Sequence, residues 1–272
     1  MRLSPRHAQA WWSVVRWSAC MMLIAAVLSL LAHPWVHFSW WQTFRRCVSI
    51  ASMLSLWWCV RRFERRSIQS YGLADFKSGK RQFVFGLCLG LATLGLLLLI
   101  GLASGVCRIG IFSDPSVFWL KLLGFLPAAV LIGVLEELIF RGFILQQLMR
   151  SSTFMAVLVS SVIYSLVHVR SSEWTLATFL QLVGLFLLAC VLCFSYFRTC
   201  QLYLSIGLHA SLAYGAGVNK LFLQFTAPFS ASFAWLTGTS RLINGLASWA
   251  ALLVMAAAIA WWTRRSDPPR RV

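Results

Sequence analysis

The chain has 272 residues, of which 60% are apolar and only 11% charged, and its formal net charge is +17. That excludes an ordinary soluble domain, in which about a quarter of the residues are charged. The positive charge comes almost entirely from arginine clustered at the ends of apolar runs, which points to cytoplasmic anchors and contacts with anionic lipids and argues against a nucleic-acid partner.

From the N-terminus, Arg2, Arg6 and Arg16 precede the first apolar run at 17–32. No small-residue cleavage site follows, so a retained span is expected there, not a removed signal peptide. A second run, 43–60, leads into a basic stretch holding Arg61, Arg62, Arg65, Arg66, Lys77, Lys80 and Arg81. The third run, 83–106, carries Gly86/Gly90 and Gly101/Gly105, small residues four apart that let helices approach closely. A fourth, 118–141, is expected to stay helical through Gln146, Gln147 and Arg150 to the Ser151-Ser152-Thr153 turn signal. Runs at 154–169, 175–197, 202–218 and 242–262 complete the series. The fold expected is therefore all-α, a polytopic transmembrane helix bundle of about eight spans in the cell membrane.

The basic loop between the second and third spans places that side in the cytoplasm, and eight spans then put both termini there as well. Arg264, Arg265, Arg270 and Arg271 in the tail agree. Arg45 and Arg46 count mildly against this orientation, since arginine snorkels. The eight cysteines lie mostly inside the apolar runs and serve no disulfide framework. Cys190 and Cys193 form a CxxC with no partner pair, which favours packing over metal binding.

Only seven residues are acidic, and Glu136 and Glu137 alone sit well inside a span, where an ionisable group costs several kcal/mol unless partnered or used. On a helix Glu137 and Arg141 stand four apart with the acid first, the favoured pairing order. Glu136 points about 100° away. It is equidistant in sequence with His168 from residue 152, so a hairpin about that turn brings the two to one depth. His209 lies mid-span in the seventh run. One carboxylate and two histidines at membrane depth suit activation of water with stabilisation of an oxyanion; the same residues also suit a satisfied polar network that glues a bundle. Other intramembrane chemistries lack residues. There is no HExxH, no aspartate within a span and no GxSxG.

Glu136, Glu137 and Arg141 match an EExxxR motif, Tyr164 to His168 resembles FxxxH, and His209 resembles the start of HxxxN. Together, over roughly residues 118–218, they resemble the CPBP family of CAAX-prenyl-protease and bacteriocin-processing intramembrane endopeptidases, also called the Abi family. The resemblance marks a catalytic core at 118–218, and the apolar runs set about three membrane helices with a basic cytoplasmic loop at 1–117 before it and a last helix with a basic tail at 219–272 after it. It implies a metal-independent glutamate-type endopeptidase with no cofactor, acting on a membrane-associated protein or peptide. Glu136 and His168 would activate water and His209 would stabilise the oxyanion, with Glu137 and Arg141 supporting the site. The sequence departs from the pattern in two places. Ala213 stands where the family has asparagine, and Tyr164 replaces phenylalanine. Ser205, one turn before His209, and the Tyr164 hydroxyl are the candidates to make good a missing donor. The lost asparagine also keeps open a non-catalytic membrane scaffold or bacteriocin-immunity protein that retains the polar network.

Overall fold

Apolar runs long enough to bridge a bilayer have to satisfy their backbone internally, and here they do so as helices. The computed structural model describes residues 5–73, 75–110, 114–168, 174–225 and 245–265. Arg2, Glu173, Asp267, Arg270 and Arg271 lie outside them, as does the 226–244 part of the last sequence region. The helices are α1 Pro5–Ala32, α2 Trp40–Cys59, α3 Phe76–Ala103, α4 Pro115–Glu137, the short α5 Gln146–Met149, α6 Thr153–His168, α7 Leu176–Thr199, α8 Tyr203–Phe222 and α9 Leu246–Arg265. A π-helical stretch, Leu138–Leu145, joins α4 to α5, so the fourth run is helical from Pro115 to Met149. Five helical runs, those containing α1, α3, α4, α7 and α9, are long and apolar enough to cross a membrane; α6 is apolar but shorter. The chain is a multi-pass helical membrane protein.

Local chemistry sets the breaks between helices. Ser39 caps α2 with a capping box, accepting from the Gln42 amide while its own amide donates to the Gln42 side chain. At the start of α4, Asp114 accepts from the amide and hydroxyl of Ser116 at 3.0 and 2.6 Å, and these bonds hold its carboxyl below the usual value. Thr175 caps α7 by accepting from the Thr178 amide. Cys200, at φ 53°, ends α7 in the left-handed conformation.

The chain divides into two compact units. One comprises residues 1–74 and 138–157, where α1 packs on α2 and on α5. The Trp17 indole donates to the Ser52 carbonyl at 3.2 Å. Glu64 accepts from the Ser13 hydroxyl at 2.8 Å and pairs with Arg150 at 3.3 Å. Burial works to raise the Glu64 pKa, but hydrogen bonds from Ser13 and Gln147 and the charge of Arg150 outweigh it and hold the carboxyl below its usual value.

The other unit comprises residues 75–137 and 158–272. There α8 packs against α3, α4 and α7, and α9 against α7 and α3. Small residues make the close approaches possible. A Cβ on Gly86 would overlap the Leu204 carbonyl, and one on Gly207 would overlap the Phe83 carbonyl and stand 2.8 Å from the Leu87 amide. On the opposite side of α8, a Cβ on Gly133 would come within 3.1 Å of the Ile206 carbonyl oxygen and 3.2 Å of the Ala210 amide. The expected glycine contact at Gly86 is therefore real, and α8 is pinned between α3 and α4 at backbone distance. A short antiparallel pair, β1 Cys107–Ile109 with β2 Leu223–Phe225, follows α3 and α8.

Candidate active site

Glu136 and Glu137 are the last two residues of α4, at the point where α geometry gives way to the π stretch. Gly133, one turn earlier, brings α8 close enough that His209 faces both carboxylates. His168 is the last residue of α6. The three elements converge on a single oxygen. Glu136 Oε2 lies 3.1 Å from His168 Nε2 and 3.5 Å from His209 Nε2. Equal spacing about residue 152 anticipated the first of these contacts.

The far side of each imidazole is also engaged. His168 Nδ1 is 2.8 Å from the Tyr164 carbonyl oxygen, which can only accept, so Nδ1 carries the proton. Its Nε2 then faces Glu136 at 3.1 Å, a distance across which a proton can pass between carboxyl and ring. His209 Nδ1 is 2.8 Å from Glu137 Oε1. A carboxylate there can accept Nδ1–H, a contact that fixes the orientation of the ring. The Tyr164 ring lies 4.2 Å from the His168 ring and meets the His209 ring edge-on at 5.9 Å, so this buried aromatic packs against both histidines.

Exposure grades across the site. The Glu136 and His168 side chains keep 29% and 27% of their surface accessible, His209 6% and Glu137 none. A small molecule therefore has access to Glu136 and His168, while Glu137 is sealed behind His209. Arg141 is fully buried in the π stretch, in the first unit, with its guanidinium 5.8 Å from the Phe140 ring. Ser205 is fully buried and donates to the Leu202 carbonyl at 2.9 Å. Ala213, one turn beyond His209 on α8, is half-buried. Neither Cys190 nor Cys193 is in a disulfide among the described residues, and the Cys190 thiol lies 3.6 Å from the Ser161 hydroxyl.

Two features escape sequence reasoning. The bond from His209 to Glu137 has no sequence signal, because spacing assigns Glu137 to Arg141. The π stretch is silent too: all eight of its residues are buried, so no polar face marks the change of period. π-helical turns are frequent at functional sites.

Glu136, His168 and His209 each offer one ligand atom, and these atoms lie within 4.8 Å of one another, so the set could hold a metal ion. Residues 118–214 match the family model described as Rce1-like, type II CAAX prenyl endopeptidase. The matched segment, similar to that branch of the CPBP family, contains Glu136, Glu137, Arg141, Tyr164, His168 and His209. No curated protein and no solved structure matches the chain.

Proposed function

We propose, taking the family of residues 118–214 as the premise, that this chain is a glutamate-type intramembrane endopeptidase. It hydrolyses a peptide bond in a membrane-associated protein or peptide; the CAAX prenyl substrate in the family description is one member of that class. The observation that carries the reading is the convergence of two imidazole Nε2 atoms on Glu136 Oε2.

In this mechanism Glu136, assisted by His168, takes a proton from a bound water. The resulting hydroxide attacks the carbonyl carbon of the scissile bond. The developing oxyanion accepts a hydrogen bond from His209 Nε2–H. The Glu136–His168 pair returns its proton to the amine nitrogen as the C–N bond breaks, leaving a carboxylic acid and an amine. Glu137 acts through His209. With Ala213 in place of asparagine, the oxyanion hole is one donor short. Ser205, the other sequence candidate, already donates its hydroxyl to Leu202, which leaves the Tyr164 hydroxyl as the candidate to replace it. The site needs no cofactor.

A second reading rests on the same three atoms. Tetrahedral zinc with Zn–N bonds of ~2.0–2.1 Å sets its ligand atoms roughly 3.3 Å apart, and histidines bonded at Nδ1 are common behind zinc. One experiment separates the two. Peptides released from host membranes by the purified wild type and by Glu136→Gln are compared by mass spectrometry, alongside metal analysis of both preparations. Expected are specific peptides with wild type, none with a folded Glu136→Gln, and activity indifferent to chelators. Unchanged cleavage by Glu136→Gln removes the assignment of the base. Stoichiometric zinc whose removal and return switch cleavage off and on makes Glu136, His168 and His209 ligands instead.

A further inference from the structure

The second unit carries a cationic end that the peptidase chemistry does not use. The first turns of α3 hold Lys77, Lys80 and Arg81, the last turn of α7 holds Arg198, and α9 ends on Arg264 and Arg265. Side-chain contacts gather these helix ends together. Phe85 of α3 stacks on Trp262 of α9 with centroids 4.4 Å apart and planes 7° from parallel, and the Arg81 guanidinium lies 5.7 Å from the same indole. The Arg198 Nε donates to Thr263 Oγ1 at 2.8 Å. Arg265 lies 4.1 Å over the Trp261 ring.

Among the described residues, these helix ends carry six cations and one carboxylate, Asp75, and none of the six cations is salt-bridged. The order of side chains along α9 says which anion they fit. Exposed Leu253 and Val254 come first, then exposed Trp261, then exposed Arg264 and Arg265. Hydrocarbon, interface and phosphate follow one another in that order across a membrane leaflet. A nucleic-acid surface has no reason to continue into exposed leucine and valine.

We propose that this end of the second unit, built on the Phe85–Trp262 stack, is a docking surface for the headgroups of anionic phospholipids. Arg81, Arg264 and Arg265 meet the phosphates, the two tryptophans sit at the level of the glycerol backbone, and Arg198 is held in place by Thr263. The surface does not depend on turnover at Glu136.

The test uses the full-length protein, purified in detergent and offered equal amounts of phosphatidylglycerol and phosphatidylcholine, with retained lipid read by native mass spectrometry. The wild type is expected to retain phosphatidylglycerol in preference. Arg81→Gln/Arg264→Gln/Arg265→Gln should lower that preference on the order of tenfold to a hundredfold, from three lost headgroup contacts. Arg81→Lys/Arg264→Lys/Arg265→Lys should keep it. High salt should abolish it, because screening shortens from about 10 Å at 0.1 M to about 3 Å at 1 M. If the glutamine variant fails to fold, the lysine variant and the salt series decide. Equal retention of the two lipids, a salt-independent preference, or a folded glutamine variant with its preference intact overturns the proposal. So does displacement of the lipid by inorganic phosphate at equal concentration, which marks a small-anion site in place of a lipid surface.

Discussion

Glu137 and Glu136 are neighbours in sequence with opposite environments, and their substitutions should fail differently. Glu137 is fully buried and bonded to His209, so it acts on the reaction only through that ring. We expect Glu137→Gln to lower kcat by about 10–100-fold with KM unchanged, the size usual for a carboxylate behind a working histidine. Loss of a buried charge partner should also lower its melting temperature. Glu136→Gln should lose cleavage with little loss of stability, since its side chain is partly accessible. Steady-state kinetics and thermal unfolding of the two variants side by side check this. The departure at position 213 belongs to the same scale. Ala213→Asn places an amide one turn from His209, and a donor there should raise kcat, up to ~10²-fold if it reaches the oxyanion. A scaffold with no turnover would show no cleavage with either residue.

Helix packing decides whether those side chains meet. On α8, Gly207 faces the backbone of α3, while Ile206 and Ala210 face Gly133 of α4, so His209 has no freedom to rotate away. Gly207→Val drives two methyl groups into the Phe83 carbonyl, a rigid neighbour. Overpacking of that kind costs about 1–3 kcal/mol or more, and we expect lower thermal stability together with loss of activity. Gly95, whose Cβ would meet nothing within 4 Å, provides the control: Gly95→Ala should leave both unchanged. The helices themselves were legible as apolar runs between charge clusters, because a run of that length has no other stable form in a bilayer. Their breaks were less so. Ser39, Asp114 and Thr175 act through a few local hydrogen bonds, and composition does not distinguish them from any other polar residue in a loop.

For the molecule as a whole, the arginine distribution predicts a cytoplasmic loop at 61–81 and cytoplasmic termini. A C-terminal tag should resist protease in sealed right-side-out vesicles and be digested once they are permeabilised. Digestion without permeabilisation refutes that orientation. Glutamine at 61, 62, 65 and 66 should weaken the orientation and yield a mixed population, whereas glutamine at 45 and 46 should leave it unchanged.

Sequence alone was enough for the membrane environment, the helical class, the family and the meeting of Glu136 with His168. Each of these depends on quantities counted along the chain: length, hydropathy, motif order, and equal distance from a turn. Counting fixes how deep a residue lies on a helix. It leaves open which way the residue faces and how near the next helix stands. Those were decided by glycines 86, 133 and 207, which let backbones touch and so set the rotation of α8. That rotation gave His209 to Glu137 as well as Glu136, and packing put Tyr164 against both histidines. It also decided what the two ring nitrogens of His209 touch, Glu137 at Nδ1 and Glu136 at Nε2, contacts that exist only once α8 is packed on α4.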